Sequence, residues 1–247
     1  MTDFSRLAGT HGRPLAYRHR PGAGPTILFL PGYMSDMQGT KATALDDWAA
    51  ARGRAMLRFD YAGCGESGGD FEAQTLALWL GDALMMIDQV AAGPVVLVGS
   101  SMGGWLMLHA ALARPDRVKG LVGIAAAPDF TDWGFTDAQK RMIVEQGRLV
   151  EATPHGEAPY VTTRAFWESG QAMRLMTGPL AIDCPVRLLH GQADADVPWR
   201  LSLDIARLVR SADVQALLVK DGDHRLSRQG DIALLIATLS QLMEQFA

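Results

Sequence analysis

A serine flanked by glycines stands between a strongly apolar run of the chain and a helix-like run. Ser101 lies in the pattern Gly-x-Ser-x-Gly, with Gly99 two residues before it and Gly103 two residues after it. Small residues at these positions let a strand turn abruptly into a helix and leave the serine hydroxyl exposed above a sheet edge. The N-terminus of the following helix favours negative charge near that hydroxyl. The pattern predicts that Ser101 is a nucleophile and that Ser100, which lacks this spacing, is a supporting residue.

A serine hydroxyl is a poor nucleophile unless a histidine within hydrogen-bond reach accepts its proton. His224 lies in a polar loop directly after the last predicted strand, residues 214–219. Because parallel strands end at the same edge of a sheet, we expect this loop beside the serine. His224 is therefore the predicted base. The other histidines precede the first central strand, lie inside a predicted helix or cap, or close a strand at the rim of the site: His11, His19, His109, His155 and His190.

The histidine in turn needs an acid that fixes its tautomer and stabilises its cation. In the chain order Ser, Asp, His, the acid lies between the serine and the histidine. The loop after the predicted strand 186–190 offers Asp194 and Asp196. We favour Asp194, four residues past that strand, and interpret Asp196 as a loop or helix-start residue because Pro198 suits a first helical turn. Two aspartates closer to the base are interpreted as turn residues: Asp221 and Asp223.

Acyl transfer also requires hydrogen-bond donors for the charged oxygen of the tetrahedral intermediate. The backbone N–H of Met102, directly after the nucleophile, is one predicted donor. The second is expected from the loop after the apolar run 26–30, where Gly32 lets the chain turn and Tyr33 presents its N–H. The Tyr33 side chain either lines the substrate pocket or packs against it, and the pattern leaves both interpretations open.

Short β-like runs alternate with longer helical patterns along most of the chain. This alternation predicts βαβ units and hence an α/β fold, with a mostly parallel sheet covered by helices on both faces. The predicted strands are residues 14–20, 26–30, 55–59, 94–99, 118–124, 186–190 and 214–219. The predicted helices are residues 40–52, 75–91, 102–113, 199–209 and 232–245.

One stretch interrupts the alternation, and we call residues 129–182 the cap segment. It contains no clear strand, and helical patterns cover residues 136–150 and 162–176. A connection of this length between two strands usually has a function of its own, which predicts a helical cap over the site. Its aromatic residues indicate an apolar acyl or aryl substrate group. Trp133, Phe166 and Trp167 are the pocket candidates among the cap aromatics, which also include Phe135 and Tyr160.

Composition narrows the classes of protein that the chain can represent. The net charge is −4 and no stretch gathers lysine and arginine into a basic face, which argues against a nucleic-acid partner. No apolar run approaches the roughly 20 residues that span a bilayer. Cys64 and Cys184 are too few for a disulfide scaffold and are expected to be reduced. The first residues lack the features of a targeting segment, so we expect a cytoplasmic location.

Five stretches together resemble the α/β-hydrolase superfamily: PGYMSDMQGTKA, RFDYAGCGES, VGSSMGGWLMLHAALARP, CPVRLLHGQADADVPW and DHR. The likeness is greatest to the palmitoyl-protein thioesterases and acyl-glucuronide esterases of that superfamily and is weakest in the cap segment. It implies an α/β-hydrolase fold of about eight strands, with one domain over residues 1–247 into which the cap is inserted. It also implies a catalytic triad of Ser101, Asp194 and His224 that uses no metal or organic cofactor.

These features predict a serine hydrolase that cleaves carboxylic esters or thioesters through an acyl-enzyme. The expected partner is a small-molecule ester or thioester, or an S-acylated protein. A small-ester carboxylesterase and a C–C bond hydrolase on the same three residues are the alternatives. A non-catalytic binding protein on this fold is disfavoured, because the sequence keeps all three residues.

Overall fold

The computed structural model describes residues 4–9, 12–152 and 159–246. Its strands, in chain order, are β1 (Ser5–Ala8), β2 (Pro14–Arg20), β3 (Ala23–Leu30), β4 (Arg54–Phe59), β5 (Val95–Ser100), β6 (Val118–Ile124), β7 (Arg148–Glu151), β8 (Tyr160–Thr163), β9 (Val186–Gly191) and β10 (Val214–Val219). Eight of them form one sheet in the order β1-β2-β4-β3-β5-β6-β9-β10. From β4 to β10 the neighbours in this order are parallel, whereas β1 and β2 run antiparallel at one edge. The prediction of a mostly parallel sheet is confirmed.

Helices cover both faces of the sheet, as the alternating pattern predicts. They are α1 (Thr40–Ala51), α2 (Leu76–Met85), α3 (Met102–Ala113), α4 (Phe130–Trp133), α5 (Asp137–Gln146), α6 (Arg164–Ala172), α7 (Arg200–Leu208) and α8 (Gln229–Glu244). One core packs α1 and α8 against the sheet, and the other packs α2, α3 and α7 against the opposite face. Strand β5 is buried along its whole length, with Leu97 in one core and Val98 in the other. A strand covered on both faces reads as a continuous apolar run, which is why β5 is so clear in the sequence.

The cap segment contains a small sheet where the sequence analysis expected only helices. Strands β7 and β8 pair antiparallel, with Leu149 opposite Thr162. The expectation that this segment lacks strands is therefore wrong. The sequence Tyr-Val-Thr-Thr of β8 is aromatic and β-branched, a composition that favours strand. Residues 153–158 between the two strands lie outside the described residues, as does the candidate His155.

The helices of the cap segment are shorter than the patterns predicted. The expected helix 136–150 ends at Gln146, because Gly147 has a φ of 81° and closes the helix in the left-handed conformation. Thr163 caps the start of α6 by accepting the N–H of Phe166, so this helix begins after β8 and not within it. Both differences arise from local end signals inside regions of helical periodicity.

One buried side chain joins the start of the cap segment to residues near its end. The carboxylate of Asp129, which is only 3% exposed, accepts the backbone N–H groups of Leu175 and Met176 at 2.8 Å each. Asp129 has a φ of 58°, a conformation that aspartate and asparagine tolerate better than most residues. This carboxylate clip closes a loop of 46 residues and holds the start and the end of the cap side by side.

Replacing Asp129 with asparagine tests the clip without changing the preferred backbone conformation. The amide keeps one acceptor oxygen but turns an N–H donor toward a second N–H donor. We expect Asp129→Asn to lower the free energy of unfolding by about 1–3 kcal/mol, the usual cost of a buried donor left unpaired. Asp116→Asn, at an exposed position, is the matched control. An unchanged denaturation midpoint in Asp129→Asn, measured in guanidinium chloride, contradicts the role of the clip.

Candidate active site

Ser101 stands at the turn between β5 and α3 in a conformation that non-glycine residues rarely adopt. Its φ is 54° and its ψ is −120°. A Cβ at Gly99 would lie 2.4 Å from the carbonyl oxygen of Gly103, and a Cβ at Gly103 would lie 2.1 Å from that of Leu30. Only glycine fits at these two positions, which is the physical reason for the Gly-x-Ser-x-Gly pattern. The turn raises the serine hydroxyl above the carboxyl edge of the sheet.

Three side chains from three strand ends form a continuous hydrogen-bonded chain at that edge. Nε2 of His224 lies 3.1 Å from Oγ of Ser101, and Nδ1 of His224 lies 2.8 Å from Oδ2 of Asp194. An ionised carboxylate only accepts hydrogen bonds, so we assign the ring proton to Nδ1 and the free lone pair to Nε2. The lone pair then faces the serine hydroxyl, the arrangement needed to take its proton.

The carboxylate of Asp194 is wholly enclosed. Its side chain is 0% exposed, and its Oδ1 accepts the backbone N–H groups of Asp196 at 2.9 Å and Val197 at 2.8 Å. Burial alone would raise the pKa of Asp194, but hydrogen bonds from His190 and His224, with the charge of His224, hold that pKa well below its usual range. Asp194 is therefore ionised at neutral pH and available to steady a histidine cation.

The other aspartate of this loop has a different position. Asp196 is exposed and lines the cavity above the site, while its backbone N–H supports the carboxylate of Asp194. Asp194 is hydrogen-bonded through its Oδ2 to His224 Nδ1, as the favoured assignment requires. Among the described residues, Asp194, Asp196 and His224 could each offer one atom to a metal ion, all within 4.8 Å of one another. Two of these groups already bind each other.

The loop after β3 lies against the serine, as the sequence predicts for a second oxyanion donor. A Cβ at Gly32 would lie 3.4 Å from Cβ of Ser101, so the backbone at Gly32 runs close to the serine. Met102 is the first residue of α3, where N–H groups have no partner within the helix. These two segments bring the N–H groups of Tyr33 and Met102 to the neighbourhood of Ser101.

The side chain of Tyr33 both lines the cavity and packs into the protein. Its ring lies 5.0 Å from that of Phe166 and 5.3 Å from that of Phe71, measured between centroids. Its hydroxyl donates a hydrogen bond of 2.5 Å to the carbonyl of Val161 in β8. Burial raises the pKa of Tyr33 far above its usual value, so it remains a neutral donor. The loop beside Ser101 is thereby tied to the cap segment.

A cavity of about 770 Å³ opens over Ser101 and His224. Of the predicted pocket residues, Tyr33 and Trp133 line it, whereas Phe166 and Trp167 do not. Phe166 is 2% exposed and packs in the core, and the Trp167 indole donates to the carbonyl of Thr131. Adjacent residues on a helix point in different directions, so the cavity could be lined by at most one of the two. The side of α6 that carries them faces the rest of the protein, and the cavity is lined by neither. The other aromatic residues of the wall are Phe29, Phe130, Phe135 and Tyr160.

The remaining candidates lie away from the chemistry. His109 bonds through Nε2 to the carbonyl of Met173, 2.8 Å away, and His11 falls outside the described residues. Cys64 is a free and buried thiol whose pKa is raised by burial to about 12, so it is no rival nucleophile. His190 is the exception: it contacts Asp194, a role that the sequence analysis missed.

The fold and this site define a class of protein. The chain belongs to the alpha/beta hydrolase family, whose sequence model matches residues 27–243. It is 40% identical to human palmitoyl-protein thioesterase ABHD10, mitochondrial, over 237 residues, covering 94% of this chain and 78% of the relative. The structure of alpha/beta hydrolase domain-containing protein 10 from mouse matches with a TM-score of 0.93 at 40% identity, covering 99% of both chains. A putative hydrolase from Agrobacterium vitis S4 matches with a TM-score of 0.92 at 38% identity, covering 98% of both chains.

The same comparison corrects the expected location. The relatives from human, mouse and cattle that are 40% identical are all named as mitochondrial proteins, which contradicts the expectation of a cytoplasmic protein. That expectation depended on the first residues alone, whereas the relatives extend beyond the aligned region. Separately, none of the helices in the described part of the chain is long and apolar enough to cross a membrane.

The close packing of the turn gives a direct test of the site's foundation. Gly103→Ala places a methyl group against two backbone carbonyls that cannot move aside, and we expect it to lower the free energy of unfolding by more than about 2 kcal/mol. Gly81→Ala in α2 is the matched control, because its Cβ meets nothing within 4 Å and alanine favours helix. Thermal unfolding of both variants measures the contrast, and equal stability of the two contradicts the packing argument.

Proposed function

We propose that this protein is a serine hydrolase that cleaves carboxylic esters and thioesters, with Ser101 as nucleophile, His224 as general base and Asp194 as the orienting acid. The observation that carries the proposal is the chain of hydrogen bonds, 3.1 Å from Ser101 Oγ to His224 Nε2 and 2.8 Å from His224 Nδ1 to Asp194 Oδ2. These lengths match the reach that proton transfer requires. Membership of a family of hydrolases supports the same assignment.

The reaction proceeds through two acyl transfers. Ser101 Oγ attacks the substrate carbonyl carbon while His224 Nε2 accepts the hydroxyl proton, and Asp194 stabilises the resulting imidazolium. The tetrahedral intermediate collapses as His224 returns the proton to the leaving oxygen or sulfur, which breaks the ester or thioester bond. A water molecule then attacks the acyl-enzyme with the same base and releases the carboxylic acid.

The backbone N–H groups of Tyr33 and Met102 act as the oxyanion donors in this proposal. Both belong to segments that pack against Ser101, and α3 begins at Met102, so its dipole also favours negative charge there. Preorganised donors of this kind contribute about 3–4 kcal/mol each to transition-state stabilisation.

The substrate class follows from the cavity and from the relatives. We propose that residues 129–182 act as a cap on the single domain and that its aromatic wall, with Phe130, Trp133 and Tyr160, holds the acyl group. A volume of about 770 Å³ falls within the range usual for ligand sites. The relatives named palmitoyl-protein thioesterase support an S-acylated protein or a long-chain thioester as substrate.

Acyl glucuronides are a second candidate, favoured by two basic residues among those that line the cavity. Lys41 and Arg225 line the cavity, and a cation there suits the carboxylate of a glucuronate leaving group. The carboxylates of Asp36 and Asp196 line the same cavity, so the rates on thioesters and acyl glucuronides decide between a thiol and a sugar leaving group.

Removing the nucleophile tests the reaction class. We expect Ser101→Ala to lower kcat/KM on the order of 10⁴-fold or more, because the remaining groups only polarise the carbonyl. Hydrolysis is measured on p-nitrophenyl esters and acyl thioesters from acetyl to palmitoyl, together with one acyl glucuronide. Ser240→Ala in α8 is the matched control. Preference for long thioesters supports the thioesterase, and equal rates for Ser101→Ala and wild type exclude the proposed nucleophile.

Separate replacement of the two neighbouring aspartates tests the orienting acid. Asp194→Asn preserves shape but forces the wrong histidine tautomer, and we expect kcat to fall on the order of 10⁴-fold. Asp196→Asn keeps the backbone N–H that supports Asp194, so its kcat should remain far higher. Both are measured on the same p-nitrophenyl ester. A larger loss in Asp196→Asn than in Asp194→Asn would reverse the assignment.

A further inference from the structure

A second histidine lies beneath the site, on the far side of the orienting carboxylate. His190 is in β9 and is 0% exposed. Its Nε2 lies 3.1 Å from Oδ2 of Asp194 and 3.2 Å from the carbonyl oxygen of Val197, and its Nδ1 lies 2.8 Å from Oγ of Ser202. Every polar atom of this buried ring therefore has a partner.

The partners fix where the ring carries its proton. Asp194 Oδ2 and the Val197 carbonyl are both acceptors, so Nε2 of His190 must bear the hydrogen that they share. In the neutral ring Nδ1 then accepts a hydrogen bond from the hydroxyl of Ser202, which is 1% exposed and starts from the first turn of α7. The serine hydroxyl selects the tautomer that donates to the carboxylate.

The carboxylate is consequently held by four donors. Its Oδ1 accepts two backbone N–H groups, and its Oδ2 accepts Nδ1 of His224 at 2.8 Å and Nε2 of His190 at 3.1 Å. The backbone donors belong to the loop that carries Asp194, whereas His190 belongs to the rigid central sheet. His190 is thus the contact that ties this oxygen to the sheet and fixes its direction toward His224.

We propose that His190 is a positioning residue for hydrolysis, acting through Asp194, with Ser202 setting its tautomer. This inference rests on the proposed function, since it assigns a role within the same site. His190 is not itself a lining residue of the cavity, so it belongs to the support of the acid and not to the substrate pocket.

Two substitutions at one position separate positioning from packing. His190→Gln places an amide N–H near the position of Nε2, whereas His190→Leu fills similar space without a donor. We expect His190→Leu to lower kcat roughly 10- to 100-fold, the loss typical when a hydrogen-bonding partner that orients a functional side chain is removed. KM should stay close to wild type, and His190→Gln should recover most of the lost kcat.

A half-buried histidine elsewhere gives a control. His109→Leu removes another Nε2 hydrogen bond, to the carbonyl of Met173, far from Asp194 in the hydrogen-bond network. We expect His109→Leu to lower the melting temperature, as His190→Leu does, but to leave kcat close to the wild-type value. If His109→Leu and His190→Leu lose kcat equally, or if Gln and Leu at position 190 are equally impaired, the positioning role is overturned.

A double-mutant cycle asks whether His190 acts through the carboxylate. In an Asp194→Ala background the oxygen that His190 orients is gone, so His190→Leu should cause no further loss of kcat. Ser202→Ala provides a smaller change in case His190→Leu does not fold: it should lower kcat in the wild-type background and leave kcat unchanged beside Asp194→Ala. Losses that multiply in both cycles contradict the proposal.

The wild-type rate separates this inference from the function on which it rests. If wild type hydrolyses p-nitrophenyl esters and Ser101→Ala does not, the proposed function holds, and additive cycles then overturn only the role of His190. If wild type cleaves no ester or thioester and no fluorophosphonate labels Ser101, the proposed function itself fails.

Discussion

The turn between β5 and α3 is packed so closely that the backbone has no room for a side chain two residues before or after Ser101. Gly103 lies against the backbone of Leu30, and Gly99 lies against Gly103 itself. This contact fixes the end of one buried strand to the start of the neighbouring strand's loop. Backbone packing therefore fixes the relative positions of the serine hydroxyl, the first N–H of α3 and the loop at Tyr33. These positions do not depend on the polar interactions of the site.

The polar groups of the site stabilise the negative charge of Asp194, whose side chain is wholly buried. A buried carboxylate is costly unless donors surround it. Asp194 receives two N–H groups from its own loop and one from each of two histidines. The charge is thereby stabilised in the folded protein while one of its oxygens still faces His224. The fixed position of Asp194 and the proposed role of His224 as a base depend on these same four hydrogen bonds.

The site was largely predictable because it is built from strand ends. Ser101, Asp194 and His224 each follow a strand of the parallel sheet. They therefore lie at the same edge of the sheet, whatever the exact positions of the helices. The cap was not predictable to the same degree. Gly147 ends a helix that the helical periodicity would have continued. Phe166 packs in the core, although Trp133, another aromatic residue of the cap segment, lines the cavity. These outcomes depend on which face of a short helix or strand packs against the rest of the domain. The local sequence pattern does not determine that packing.

His190 shows a further limit of reading function from chain order. In the sequence it is a histidine at the end of an apolar strand, and nothing in its neighbours distinguishes a ring that packs from a ring that donates to an acid. The distinction requires knowing that the chain returns after four residues and places Asp194 above Nε2. A motif defined only by residue types and spacing does not predict a side-chain contact made across such a short loop.

The carboxylate clip at Asp129 bears on how such a protein diversifies. It binds the far end of the cap through the backbone N–H groups of residues 175 and 176, and it therefore places no demand on the side chains there. Side chains between the two anchor points can therefore change without breaking this contact, except where they pack in the core as Phe166 does. The junction of the cap segment thus depends on backbone groups at one end and a single carboxylate at the other, whereas the turn at Ser101 depends on two glycines that no other residue can replace.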